Sequence, residues 1–151
     1  MNFGDSIKNI EEKLGKENYA KISNEVADLL AGIKIDKAHF AFDFMKNEKA
    51  IIKGLNEFRK HCDLSDDKTI VYMLTNYDTT INEDLYRINA IRNAGFIPDV
   101  RIYRKSTAPK VLRDLQRWCN NRFIYRSCEF MDYVPRTDGK TVKELYFNKG
   151  E

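Results

Sequence analysis

The sequence predicts an α/β fold of three parallel βα units preceded by two helices. Two observations lead there. Three apolar runs rich in β-branched and aromatic residues, each followed by a helical pattern, start about 30 residues apart, the size of a βα unit. Turn and cap residues also fall between these segments where helix and strand ends need them. Strands alternating with helices imply a parallel sheet with right-handed crossovers.

In chain order, the stripes Ile7, Ile10, Leu14 and Val26, Leu29, Leu30, Ile33 predict two amphipathic helices within residues 1–35. The first strand is expected over Lys37–Phe44, followed by a helix from about Asn47 to His61. The second is expected over Thr69–Thr75. Its helix starts at Ile81, because Thr80 with Glu83 spells a capping box, and it runs to Ala94 with Gly95 as the residue past its end. Pro98 opens the third strand, Asp99–Tyr103. Thr107 as N-cap and Pro109 in the first turn introduce a helix to about Asn121, with Val111, Leu115, Trp118 and Cys119 on one face and Arg113 and Arg117 on another. The remainder holds a turn at Asp138-Gly139 and a short strand, Glu144–Phe147. Residues 1–35, 36–133 and 134–151 are thus helical segment, βα units and tail of one structural domain, as 151 residues suit.

Composition narrows the function. With 42% hydrophobic and 32% charged residues the chain can build a core. It has no apolar run of the ~18 residues a membrane span needs and no signal-peptide pattern, so the expectation is a soluble, cytoplasmic protein without a membrane partner. The three cysteines, Cys62, Cys119 and Cys128, have the spacing of neither a disulfide framework nor a metal ligand set, and read as packing residues. Charge is uneven. Residues 1–100 carry 14 basic and 17 acidic side chains, whereas residues 101–126 carry eight basic and one acidic. Lys110, Arg113, Arg117 and Arg122, with aromatics interleaved, are candidate nucleic-acid contacts. Helical periodicity, however, spreads them over more than one face, and a solvated or ion-paired helix is the competing reading.

In open sheets and barrels, ligands bind at the carboxyl ends of the strands. That rule selects Asp43, the segment Thr75-Asn76-Tyr77-Asp78-Thr79-Thr80, and Arg104, Lys105 and Ser106. Hydroxyls, an amide and a carboxylate ahead of a helix N-terminus suit a ribose, an amino acid moiety or a phosphate; the same residue types also favour turns and caps. His39 reads as a satisfied core histidine. No nucleophile–base pair is evident.

The segments His39–Asp43 (HFAFD), Tyr72–Ile88 (YMLTNYDTTINEDLYRI), Arg92–Tyr103 (RNAGFIPDVRIY) and Leu115–Ser127 (LQRWCNNRFIYRS) resemble the C-terminal half of radical SAM proteins from bacterial and phage genomes, an uncharacterised subgroup. The resemblance covers about residues 20–133. It implies that the three units are half of a partial TIM-like barrel that binds a [4Fe–4S] cluster and S-adenosylmethionine (SAM). It places Asp43 near the SAM amino or ribose groups, Thr75, Asn76 and Asp78 near the adenosine, and Tyr103 and Arg104 beside the adenine or substrate. The family's CxxxCxxC cluster loop does not occur in this chain, nor do the first three units. The expectation is therefore a domain that supplies SAM and substrate contacts and cannot do radical chemistry alone, with the alternative of a stand-alone nucleotide-, nucleic-acid- or protein-binding module. A half-barrel has two exposed sheet edges. The amino-terminal helices, a second copy of the chain or the missing half-barrel are expected to cover them.

Overall fold

A computed structural model describes residues 36–148; the two amino-terminal helices expected within residues 1–35 lie outside them. Strand β1 (Ala38–Ala41) leads through a 3-10 turn at Met45–Asn47 into helix α1 (Glu48–His61). Strand β2 (Thr69–Thr75) precedes helix α2 (Ile81–Asn93), and strand β3 (Ile97–Ile102) precedes helix α3 (Lys110–Asn120). The strands pair in the order β1-β2-β3, parallel throughout, with Ala41 opposite Tyr72 and Tyr72 opposite Asp99. A mixed α/β fold with a three-stranded parallel sheet and helices between the strands is what the repeating units predict.

Each boundary has a local cause. The ladder of β1 ends early because Asp43 takes over from the backbone: Phe42 N–H still donates to Tyr72 O at 2.7 Å, but Leu74 N–H donates to Asp43 Oδ1 at 3.0 Å. Helix α2 starts at the capping box, with Thr80 N–H donating to Glu83 Oε2 at 2.7 Å, which holds the Glu83 carboxyl below its usual range. It ends in a Schellman motif. Phe96 N–H donates to Ile91 O and Gly95 N–H to Arg92 O, with Gly95 at φ 80°, where a side chain would be strained. Strand β3 begins one residue before Pro98 rather than after it. β3 is the outer strand of the described sheet, so a residue without an N–H is tolerated there.

Two expectations are corrected after β3, and one helix is added. Thr107 does not cap α3; it closes a 3-10 turn, and its hydroxyl donates to Arg104 O, while the helix starts at Lys110 behind Pro109. The chain then forms an unforeseen helix α4 (Arg122–Ser127), capped by Asn121, whose side chain accepts from Phe123 N–H and Ile124 N–H. Glu144–Phe147 is not a strand. Lys143–Phe147 is a π-helical turn, and Thr141 with Glu144 caps it as Thr80 with Glu83 caps α2.

One face of the sheet is the core. Phe42, Val71, Met73 and Val100 are buried with Leu55 of α1, Ile88 and Ile91 of α2, and Leu112, Leu115, Trp118 and Cys119 of α3. Val111 lies at the border of this face and Leu112 is buried in its place. The carboxyl-terminal segment closes over α3, where Arg136 Nη2 and the Tyr146 hydroxyl both donate to Asp114 Oδ2, at 2.9 and 2.6 Å. The opposite face carries His39, Tyr72, Asp99 and Arg101. His39 is therefore not a core residue; it is exposed and shares a 2.7 Å hydrogen bond with the Tyr72 hydroxyl.

The outer edge of β3 is sealed from within. Asn120 Oδ1 accepts from Val100 N–H at 2.8 Å, and Asn120 Nδ2 and Gln116 Nε2 donate to Val100 O at 3.0 and 2.9 Å. The Cys119 thiol donates to Pro98 O, and its burial pushes the thiol pKa up, so it stays protonated. Side chains of α3 thus replace a fourth strand. Among the described residues, the cover at Val100 and Pro98 comes from α3. Replacing Asn120 by Ala leaves Val100 N–H without its acceptor while Gln116 still serves the carbonyl. An expected loss of about 1–2 kcal/mol in urea unfolding follows, together with increased self-association by light scattering as the edge opens. Asn120→Asp keeps the acceptor and is expected to lose less. Equal stability of wild type and Asn120→Ala would refute the role of the amide.

Candidate ligand site at the carboxyl ends of the strands

The first residues past each strand converge. Phe44 follows β1, Tyr77 follows β2 and Tyr103 follows β3, and their rings form a row. Phe44 and Tyr77 lie 6.3 Å apart at 74°, and Tyr77 and Tyr103 lie 5.2 Å apart at 81°. Edge-to-face contact at these separations is the favourable aromatic geometry. The row is not core: Tyr77 is 58% exposed and Tyr103 38%. Cations flank both ends, with Lys46 Nζ 5.2 Å from the Phe44 centroid and the Arg104 guanidinium 5.3 Å from that of Tyr103.

The backbone that presents this row is held in an uncommon conformation. Asn76 and Arg104, each just beyond a strand, have φ of 62° and 46°, and they are the non-glycine residues with positive φ among those described. Asn tolerates the left-handed region; Arg has no side-chain group suited to stabilising it. Two bonds pin the pair of loops together: Asn76 Nδ2 donates to Tyr103 O at 2.8 Å, and Tyr103 N–H donates to Thr75 O at 2.9 Å. Backbone strain of this kind gathers at ligand sites.

Beneath the row lies a buried clamp that the sequence reading did not single out. Arg87 of α2 is fully buried. It donates to the carbonyl oxygens of Phe42 (2.6 Å), Asp43 (3.1 Å) and Leu74 (2.7 Å) and to Asp84 Oδ1 (2.6 Å). Asp84 also accepts from the Thr79 hydroxyl at 2.7 Å. Burial pushes the Asp84 carboxyl above the ordinary carboxylate range, with the Thr79 and Arg87 hydrogen bonds pulling the other way. One guanidinium therefore fastens the ends of β1 and β2 to the helix that follows the site. Asp84, Arg87, Ile88 and Ile91 form one i, i+3, i+4, i+7 stripe. The signal was present: two charged residues sit on the apolar face of α2.

The residues selected from the sequence divide in two. Asn76, Asp78, Tyr103 and Arg104 reach the surface at the strand ends, with Asp78 exposed. Asp43 is half-buried and spends one carboxylate oxygen on Leu74 N–H. Thr75 is fully buried and its hydroxyl donates to Arg101 O, so it serves the fold and is not presented to solvent. Phe44 was missed because it read as the last residue of the first strand.

The basic residues are brought together more than periodicity suggested. Arg113, Arg117 and Arg122 line one open cleft of about 770 Å³ with Lys105, Gln116, Asn120, Asn121 and Phe123, so the expected scatter over several faces does not hold for them. Lys110 is exposed one turn earlier and does not line it. Arg122 and Arg126 both reach Asp67, at 3.4 and 2.6 Å. No helix among the described residues is long and apolar enough to cross a membrane, and no cluster of three or more His, Cys, Asp or Glu side chains among them could hold a metal ion. No protein family, curated protein or solved structure matches the chain.

Proposed function

We propose that this chain is the carboxyl-terminal half of a radical SAM-type barrel and that its strand ends bind the nucleoside part of S-adenosylmethionine. The row Phe44–Tyr77–Tyr103 carries this reading: one solvent-accessible ring from each βα unit stands where such sheets bind ligands, and every nucleobase has a face that stacks on an aromatic ring. Within it Tyr77 and Tyr103 offer stacking surfaces for adenine, Asp78 and the free oxygen of Asp43 offer acceptors for ribose hydroxyls or the amino group, and Arg104 sits beside the adenine or substrate.

The cysteines do not fit a [4Fe–4S] cluster. Cys119 is buried and bonded to Pro98 O, Cys62 follows α1, and Cys128 follows α4. A cluster and the electron it delivers would have to come from the missing amino-terminal half-barrel. With the β3 edge sealed, that half would join at β1, with which no described strand pairs on its outer side.

Isothermal calorimetry with SAM tests the proposal. Saturable binding is expected, weakened about 5- to 100-fold in Tyr77→Ala and in Tyr103→Ala, the range of one lost stacking contact. No saturable heat up to millimolar SAM, or binding indifferent to both substitutions, would remove the nucleoside role.

A further inference from the structure

We propose that the cleft between α3 and α4 is a binding site for single-stranded RNA, distinct from the strand-end site. Its walls carry Lys105, Arg113, Arg117 and Arg122, and no carboxylate is among its lining residues. A surface with four cations and no acid, on a chain whose formal net charge is only +3, is complementary to a polyanion.

The cations are available. Among the described residues the side chains of Lys105, Arg113 and Arg117 have no hydrogen-bond or ion-pair partner, and of the four only Arg122 is shared with an acid, Asp67. The one acid within α3, Asp114, is turned away and committed to Arg136 and Tyr146. Arg113 and Arg117 are four residues apart on one stripe, about 6 Å along the helix axis. That spacing suits successive phosphates of an extended strand.

Phe123 turns a phosphate-binding groove into one for a single strand. It lines the same cleft and is 88% exposed, the most solvent-accessible large apolar side chain described. Among the described residues no aromatic or cation contact engages its ring, and α4 is held by Tyr125 against Trp118 and by the Asn121 cap. An exposed ring among guanidinium groups stacks an unpaired base while the cations take the flanking phosphates. A duplex keeps its bases stacked on each other and would gain nothing from it.

Fluorescence anisotropy with a labelled 12-nucleotide single-stranded RNA tests this on the whole chain. Saturable binding is expected, with log K falling against log[salt] at a slope of about −2 to −3 for three to four phosphate contacts. Arg113→Gln with Arg117→Gln is expected to make that slope shallower by about 1.4. Phe123→Ala is expected to weaken binding about 5- to 100-fold while leaving the slope unchanged. All three side chains are exposed, so circular dichroism should report an unaltered fold. Absent or salt-insensitive binding would overturn the proposal, as would a duplex or a polyglutamate peptide bound as tightly as the single strand. Because Tyr77 and Tyr103 lie outside the cleft, loss of RNA binding with SAM binding intact, or the reverse, tells the two sites apart.

Discussion

Replacing Arg87 by Ala is expected to cost about 3–5 kcal/mol, the penalty for stranding one partner of a buried ion pair. The substitution strips three strand-end carbonyls of their donor and leaves Asp84 buried opposite an empty space. Against a total stability of roughly 5–15 kcal/mol this is a large fraction, and the thermal midpoint should fall on the order of 10 °C. Equilibrium unfolding in urea, followed by far-ultraviolet circular dichroism, measures it. The variant should also acquire a characteristic pH dependence. The Asp84 carboxyl already lies above its ordinary range in the folded protein because it is buried, and without Arg87 it is pushed further up. A group whose folded pKa exceeds its unfolded pKa binds protons preferentially in the folded state, so stability falls as pH rises between the two values. The deficit of Arg87→Ala should therefore shrink on acidification through the range just above the normal carboxylate pKa. Double replacement by similarly sized apolar residues, Asp84→Leu with Arg87→Met, should recover part of the loss, since the uncompensated charge is then gone. A cost below about 1 kcal/mol for Arg87→Ala would mean that the clamp is incidental.

Trp118→Ala is expected to be comparably severe, about 3–5 kcal/mol for emptying a large core site. Trp118 is 1% exposed, its rings lie 5.1 Å from Tyr125 and 5.4 Å from Phe130, and its indole N–H donates to Cys128 O at 2.9 Å. From α3 it reaches both Tyr125 of α4 and Phe130 of the 3-10 turn at Phe130–Asp132. Trp118→Phe, which keeps most of the apolar volume and loses the hydrogen bond, should cost markedly less. Since this is the only tryptophan in the sequence, unfolding must be followed by circular dichroism rather than fluorescence. If Phe and Ala were equally damaging, the hydrogen bond and not burial would be the dominant contribution.

The legible part of the fold is the part governed by short-range rules. β2 alternates buried and half-buried positions along its whole length, and α2 has both a capping box and a glycine past its end, so their boundaries fall within a residue of expectation. Legibility failed where one residue type serves two masters. Pro98 reads as a strand opener, yet on an outer strand it is tolerated inside. Thr107 reads as a cap, yet its hydroxyl prefers the nearer carbonyl of Arg104. The Thr141–Glu144 pair follows the same grammar as Thr80–Glu83, and it caps a helical turn where a strand over Glu144–Phe147 is expected. At the candidate site, a positional rule about strand ends points to Asn76, Asp78 and Arg104, and the resemblance adds Tyr103. Neither points to the clamp below them, because Asp and Arg three apart on a helix ordinarily mark a solvated face. Gln116 and Asn120 posed a different problem: their role depends on where the edge of a non-local sheet runs, which no window of sequence contains.

That sealed edge limits how copies of the molecule can assemble. Open-ended, amyloid-like growth by strand addition needs two complementary edges per subunit, one to offer and one to receive. Here one of the two is already consumed by Asn120 and Gln116. Strand addition at β3 would have to displace these side-chain bonds at Val100. A two-fold contact between identical chains through β1 would have to run its strands antiparallel. Among the described strands the sheet has a polarity: its carboxyl-terminal edge is already engaged by its own helix, and its amino-terminal edge is the one left for another strand to join.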